Sequence, residues 1–195
     1  YLTPSGLDDD QQAGIARTVQ QAAGALGLTD GPVHAELRLA ASGPVVLEVH
    51  GRSIGGLCSR LLKFGSGLSL EELIIQHAVN QDLALPDRHR EAAGVMMIAV
   101  PRAGRLIKIR GLDEAKAVSG VEDVTISAHL GQSLVPLPEG SRYLGFIFAR
   151  ADSPQAIETA LRESYAQLEF VIEPSVDHAR QDGCTSPADA SAKSV

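Results

Sequence analysis

The chain has 195 residues, of which 44% are hydrophobic, 21% charged and 4% aromatic, with no Trp and a formal charge of −7. That length can bury one large core or two small ones, and the composition is that of a soluble globular protein. The acidic balance, the lack of a Lys/Arg cluster and the scarcity of aromatics argue against a nucleic-acid partner. No apolar run approaches the roughly 20 residues of a membrane span and no signal peptide is visible, so no membrane partner is expected.

Taken in chain order, the first element is a helix over Leu7 to Leu26. Asp8, Asp9 and Asp10 crowd its start, and Ile15, Val19, Ala22 and Leu26 give it an apolar stripe. The chain opens on Tyr1 rather than Met, as a processed chain or a fragment would. A β-hairpin follows, Pro32 to Leu39 and Pro44 to His50, joined by Ala-Ala-Ser-Gly. Its apolar residues alternate: Val33, Ala35, Leu37 and Leu39 in one strand, Val45, Leu47 and Val49 in the other. Strand parity then sends Glu36 and Glu48 to the opposite face, and a turn near Ser42 sets Glu36 across from Glu48 and His34 across from His50. Like charges directly across a strand pair are destabilising, so a cation between them is expected, and carboxylate oxygens suit Mg²⁺ or Mn²⁺. The same pair also fits a solvated outer face with Arg38 and Arg52 as surface partners.

Beyond the hairpin, Arg52-Ser-Ile-Gly-Gly56 leads into a helical stretch from Leu57 to Phe64. Ser69-x-x-Glu72 has the spacing of a capping box and opens a helix to about Asn80, with Leu70, Leu73, Ile74 and Ala78 on one side. Residues 81–93 read as a polar linker. Short strands follow at Val95 to Val100, Leu106 to Arg110, Asp123 to His129 and Tyr143 to Ala149, with a short helix at Asp113 to Val118. Ser153-Pro154 opens a last helix, striped by Ile157, Ala160, Leu161, Tyr165 and Leu168. A strand from Phe170 to Ile172 ends the ordered pattern, and residues 174–195 read as a disordered tail. The order points to an α+β fold on antiparallel sheet. Cys58 and Cys184 form neither a disulfide framework nor a zinc spacing, so a cytoplasmic location is expected. Cys58 reads as a core residue, and Met96-Met97 as packing.

The string His34-Ala-Glu-Leu-Arg, then Leu47-Glu-Val-His-Gly-Arg52 and Gly55-Gly56, resembles the ATP-grasp superfamily of carboxylate–amine ligases. The likeness is strongest to the L-amino acid ligase subgroup. It runs on through Ile54-Gly-Gly-Leu-Cys-Ser, Gly94-Val-Met-Met-Ile-Ala-Val-Pro101 and Pro136 to Phe148, covering about residues 1 to 173. The resemblance implies that residues 1–80 form the C-terminal half of an ATP-grasp domain and 94–173 a small α+β C-terminal domain. It implies ATP and Mg²⁺ or Mn²⁺ as cofactors and an acyl-phosphate route joining a carboxylate to an amine. Glu36, Glu48 and His50 would be the metal positions. Arg52 would be catalytic, and Glu36, Glu48, Arg52, Gly55 and Gly56 would bind the nucleotide or substrate.

His50 stands where the family has Asn, a change toward a softer donor that favours Mn²⁺ or Zn²⁺ over Mg²⁺. The ATP-binding lysine and Gly-rich loop of the family are not found ahead of Glu36, and all four lysines follow the hairpin. The resemblance therefore implies a partner, the N-terminal ATP-grasp half in the same or a separate chain, beside a second copy of this chain as homodimer. Alone, the chain is expected to be inactive. The alternative is a non-catalytic remnant or split subunit that acts by binding another chain.

Overall fold

The computed structural model describes residues 1–64, 67–79 and 92–174. In chain order the elements are β1 (Leu2–Thr3), α1 (Asp9–Ala25), β2 (His34–Ala40), β3 (Gly43–His50), a 3-10 turn (Cys58–Leu61), β4 (Lys63–Phe64), β5 (Leu68–Ser69) and α2 (Leu70–Ala78). They continue with β6 (Ala92–Ile98), β7 (Gly104–Arg110), α3 (Leu112–Lys116), β8 (Val121–Ile126), β9 (Ser133–Leu134), β10 (Gly145–Ala151), α4 (Pro154–Gln167) and β11 (Glu169–Glu173). The fold is α+β, and its described strand pairs are all antiparallel.

Local chemistry sets the helix starts. Asp8 accepts from the Gln11 amide at 2.8 Å while the Gln11 side chain accepts from the Asp8 amide, and Ser69 and Glu72 repeat this reciprocal cap on α2. Ser153 accepts from the Ala156 amide, with Pro154 at the first helical position.

A four-stranded sheet, β1-β6-β10-β8, is covered on both faces. One face carries the main core, where Ile98, Leu106, Leu144, Ile147 and Ile157 are almost wholly buried between this sheet, α4 and the sheet β11-β7-β9. The other face carries Ala93, Val95, Phe146 and Phe148, on which Ile54, Leu57, Cys58 and Leu61 pack. Fully burying a side chain the size of Leu or Phe stabilises by about 1.5–3 kcal/mol, so this second cluster fixes residues 54–61 against the sheet. Each strand buried on both faces needs an unbroken apolar run, which explains Ala-Ala-Gly-Val-Met-Met-Ile in β6 and Gly-Phe-Ile-Phe-Ala in β10.

Several sequence expectations are corrected. Residues 57–64 are a short 3-10 turn and the strand β4, not a helix. Leu26 lies at the C-cap of α1 and is 62% exposed, so it does not belong to the apolar stripe of that helix. In α4 the buried position falls on Ser164, whose hydroxyl donates to the Ala115 carbonyl at 2.9 Å, while Tyr165 faces outward. Ala92 and Ala93, expected at the end of a linker, already belong to β6. The rest of that linker, the tail from residue 175, Cys184 and Lys193 lie outside the described residues.

Candidate functional site

The hairpin β2–β3 pairs His34 with His50, Ala35 with Val49 and Glu36 with Glu48, the register that strand parity requires. Nearer the tip the register shifts by one residue, so that Leu37 pairs with Val46 and Leu39 with Pro44. Leu47 is left without a cross-strand partner and is 61% exposed. The apolar face therefore continues through Val46 and Pro44, not through Leu47 and Val45 as simple alternation predicts. Such a one-residue bulge absorbs the short turn without flipping the glutamates to the other face. Helix α1 lies against β3, with Gly14 beside the Pro44 ring.

On the polar face, donor atoms of His34, Glu36 and Glu48 all lie within 4.8 Å of one another. His34 Nε2 is 3.4 Å from Glu36 Oε1, and His50 Nε2 is 3.2 Å from Glu48 Oε1. Among the described residues no Lys or Arg comes within ion-pair distance of either carboxylate, so the described ion pairs do not make Arg38 or Arg52 their surface partners. Arg52 instead donates from Nη1 to the Ser53 carbonyl at 3.0 Å. His50 contacts Glu48 but stands outside the three-residue set, while His34 stands inside it.

A cleft of about 210 Å³ opens beside this face, bordered by His34, Glu36, Arg52, Gly55 and Gly56. Its apolar wall comes from Ile54, Met97 and Phe146, and two tyrosines, Tyr1 and Tyr143, complete it. Gly56 has φ +64°, so the backbone favours glycine there, and it lies beside the Phe146 ring. Burial raises the Tyr1 phenol above its ordinary range, with the Glu36 charge acting in the same direction. Burial likewise raises the Cys58 thiol. Glu36, Arg52, Gly55 and Gly56 thus meet in one cleft, while Glu48 and His50 lie outside its lining. The part of the wall made by Tyr1, Met97, Tyr143 and Phe146 was missed because those residues sit far from the motif in sequence; Tyr143 and Phe146 pack at 6.2 Å between ring centres.

A larger cleft, about 500 Å³, lies further along the same sheet face, between Arg60, Lys63, Glu71, Asp123 and Arg150. Arg60 meets Asp123 at 3.2 Å and covers the Phe148 ring at 4.4 Å, and Arg150 meets Glu122 at 2.8 Å. Acids matched to bases make this an ion-paired joint between the 3-10 turn and the sheet.

Residues 1–60 match the ATP-grasp domain family, and residues 96–173 match L-amino acid ligase C-terminal domain 2. The chain belongs to the ATP-grasp superfamily of ligases. Within it, the likeness is to the L-amino acid ligases: the solved L-amino acid ligase of Bacillus licheniformis is 30% identical, with a TM-score of 0.74 over 89% of this chain and 44% of that one. The uncharacterized protein y4rH of Sinorhizobium fredii is 29% identical over 174 residues, 89% of this chain and 36% of its own length. Phosphoribosylglycinamide synthetase of Anaerococcus prevotii shares the fold at 17% identity and a TM-score of 0.70, over 88% of this chain and 44% of its own. This chain thus spans less than half the length of each of these relatives.

Proposed function

We propose that the chain supplies the metal and phosphate end of an ATP-dependent carboxylate–amine ligase, joining its substrates, two amino acids, through an acyl phosphate. Residues 1–80 complete the nucleotide-binding domain in this reading, and 94–173 form the C-terminal domain. The observation that carries it is Glu36 meeting Arg52 and Gly55-Gly56 in one cleft, with Glu48 paired across the strands from Glu36, in a chain of this superfamily. Two carboxylates and an imidazole within 4.8 Å, with no described Lys or Arg neutralising them, form a donor set that fits a divalent cation. A solved biotin carboxylase domain of Hydrogenobacter thermophilus, which shares the fold at 14% identity, holds MgADP.

Glu36 and Glu48 would hold Mg²⁺ or Mn²⁺, which when bound neutralises phosphate charge as the phosphoryl group moves. Arg52 offers a planar fork of donors to a phosphate or a substrate carboxylate. The Gly55-Gly56 backbone admits close approach of the bound anion, and Ile54, Met97 and Phe146 exclude water from the side of the reacting carboxylate. His50 orients Glu48 from 3.2 Å. The opposite wall, with the ATP-binding lysine, would come from the remaining ATP-grasp half, in the same polypeptide or a separate one.

The hairpin favours such a neighbour. The two-stranded sheet β2–β3 has both outer edges unpaired among the described residues, and Val45 and Leu47 are 46% and 61% exposed. Open strand edges with exposed apolar residues pair readily with further strands. The test is divalent-dependent ADP release by a polypeptide that joins this chain to the rest of an ATP-grasp domain, with both substrates present. Glu48→Gln should abolish release, by at least about a hundredfold, while leaving the fold intact; unchanged release would remove Glu48 from the site.

A further inference from the structure

We infer that His34 is the third protein ligand of the cation held by Glu36 and Glu48, and that the site consequently takes a first-row transition cation in preference to Mg²⁺. The inference rests on the metal reading above and adds to it the ligand set and the choice of ion.

The two imidazoles of the hairpin face are not equivalent. His34 and His50 pair across the strands, yet only His34 places a nitrogen in the set within 4.8 Å. The His34 side chain is 16% exposed and borders the cleft beside Glu36, whereas that of His50 is 43% exposed. Two donors at about 2.1 Å from one octahedral ion, at right angles, lie about 3 Å apart. His34 Nε2 and Glu36 Oε1, at 3.4 Å, are close to that spacing before any ion draws them in. A ring nitrogen withdrawn from water gains a partner by coordinating, where otherwise it has only a carboxylate edge.

Ion choice follows from donor chemistry. Mg²⁺ favours oxygen ligands in a near-ideal octahedron and releases its waters reluctantly. Replacing one oxygen by an imidazole nitrogen favours ions further along the transition series. The hairpin thereby carries a selectivity element two residues ahead of its first glutamate.

Mn²⁺ serves as the probe. The whole chain, loaded with one equivalent of Mn²⁺ and measured by electron spin-echo envelope modulation, should show nitrogen hyperfine coupling. The coupling should persist in His50→Asn and vanish in His34→Asn, with Mn²⁺ still bound, and the preference for Mn²⁺ over Mg²⁺ should fall about tenfold in His34→Asn. Should His34→Asn fail to fold, ring-nitrogen NMR of the unmutated chain decides: Zn²⁺ should move the His34 Nε2 resonance to the metal-ligand range and leave His50 in place. Bound Mn²⁺ that depends on Glu36 and Glu48 but shows no nitrogen coupling, or coupling lost only with His50, overturns the role of His34 and leaves the carboxylate site standing. Absence of Mn²⁺ binding overturns both.

Discussion

Strand parity places His34, Glu36, Glu48 and His50, and it was legible because period-two alternation leaves one solution for Glu36 and Glu48. The bulge at Leu47 was not legible: Val45-Val46-Leu47 is apolar throughout, so any of the three can face α1, and turn length alone selects. The role of Cys58 in packing was readable, since a small apolar side chain on an otherwise apolar stretch belongs in a core. It is 3% exposed and its thiol is raised by burial. Iodoacetamide at pH 8 should therefore modify Cys58 at least about tenfold more slowly in the native chain than in the unfolded one, because the thiolate is the reactive form. Peptide mass spectrometry gives the ratio, and equal rates would place Cys58 outside the core.

Among the elements, helices with caps were readable and two-residue strands were not. Ser69 and Ser153 each announce a helix by chemistry that needs only three or four residues, whereas Asp8, read as one of three acids in the first turn, is the N-cap of α1. Strands β1 and β9 are too short to show any period. The stretch 57–64 misled because Leu57, Leu61 and Phe64 recur at helical spacing, although the second sheet face is what collects Leu57 and Leu61. That face could not be read, since an unbroken apolar run shows that both sides of a strand are covered and not by what. Arg60 clamps this joint through Asp123 and Phe148. Arg60→Ala should lower stability by about 1 kcal/mol, the joint worth of a half-exposed ion pair and a cation–π contact, read as a shift of the urea midpoint. Gly111 follows β7 as the N-cap of α3 with φ +77°, and its Cβ position is occupied by the Gln167 carbonyl. Gly111→Ala should cost about 2 kcal/mol or more, with a matching fall in Tm; a change within about 0.5 kcal/mol would contradict the tight crossing of α3 and α4.

At the scale of the whole molecule, acid stability depends on carboxylates held in place by neighbours. The Asp123 carboxyl is lowered first by the Thr125 hydroxyl, at 2.6 Å, and then by Arg60. Glu71 is lowered by the Ser59 hydroxyl, and Glu72 by its cap on Ser69. A carboxyl lowered in the folded state stabilises fully above its unfolded value, and that contribution is lost as pH falls through the lower folded value. The contribution of these carboxylates should therefore be flat above about pH 5 and decline below about pH 4. Asp123→Asn should weaken that acid dependence, as measured by urea unfolding across the range. No described helix is long and apolar enough to cross a membrane.

The molecule is thus built as a hairpin presenting carboxylates beside a cleft, with the segment after the hairpin bolted to the second face of a C-terminal sheet. In the proposed function, Glu36 and Glu48 hold a divalent cation on that face. The most direct measurement is a Mn²⁺ titration of the whole chain followed by electron paramagnetic resonance, in the wild type and in Glu36→Gln/Glu48→Gln. The wild type should bind Mn²⁺ in a saturable manner at one ion per chain, and the double variant should lose that binding while its circular dichroism stays unchanged. Saturable binding undiminished in the double variant, or none in the wild type, would remove the two glutamates from a metal site.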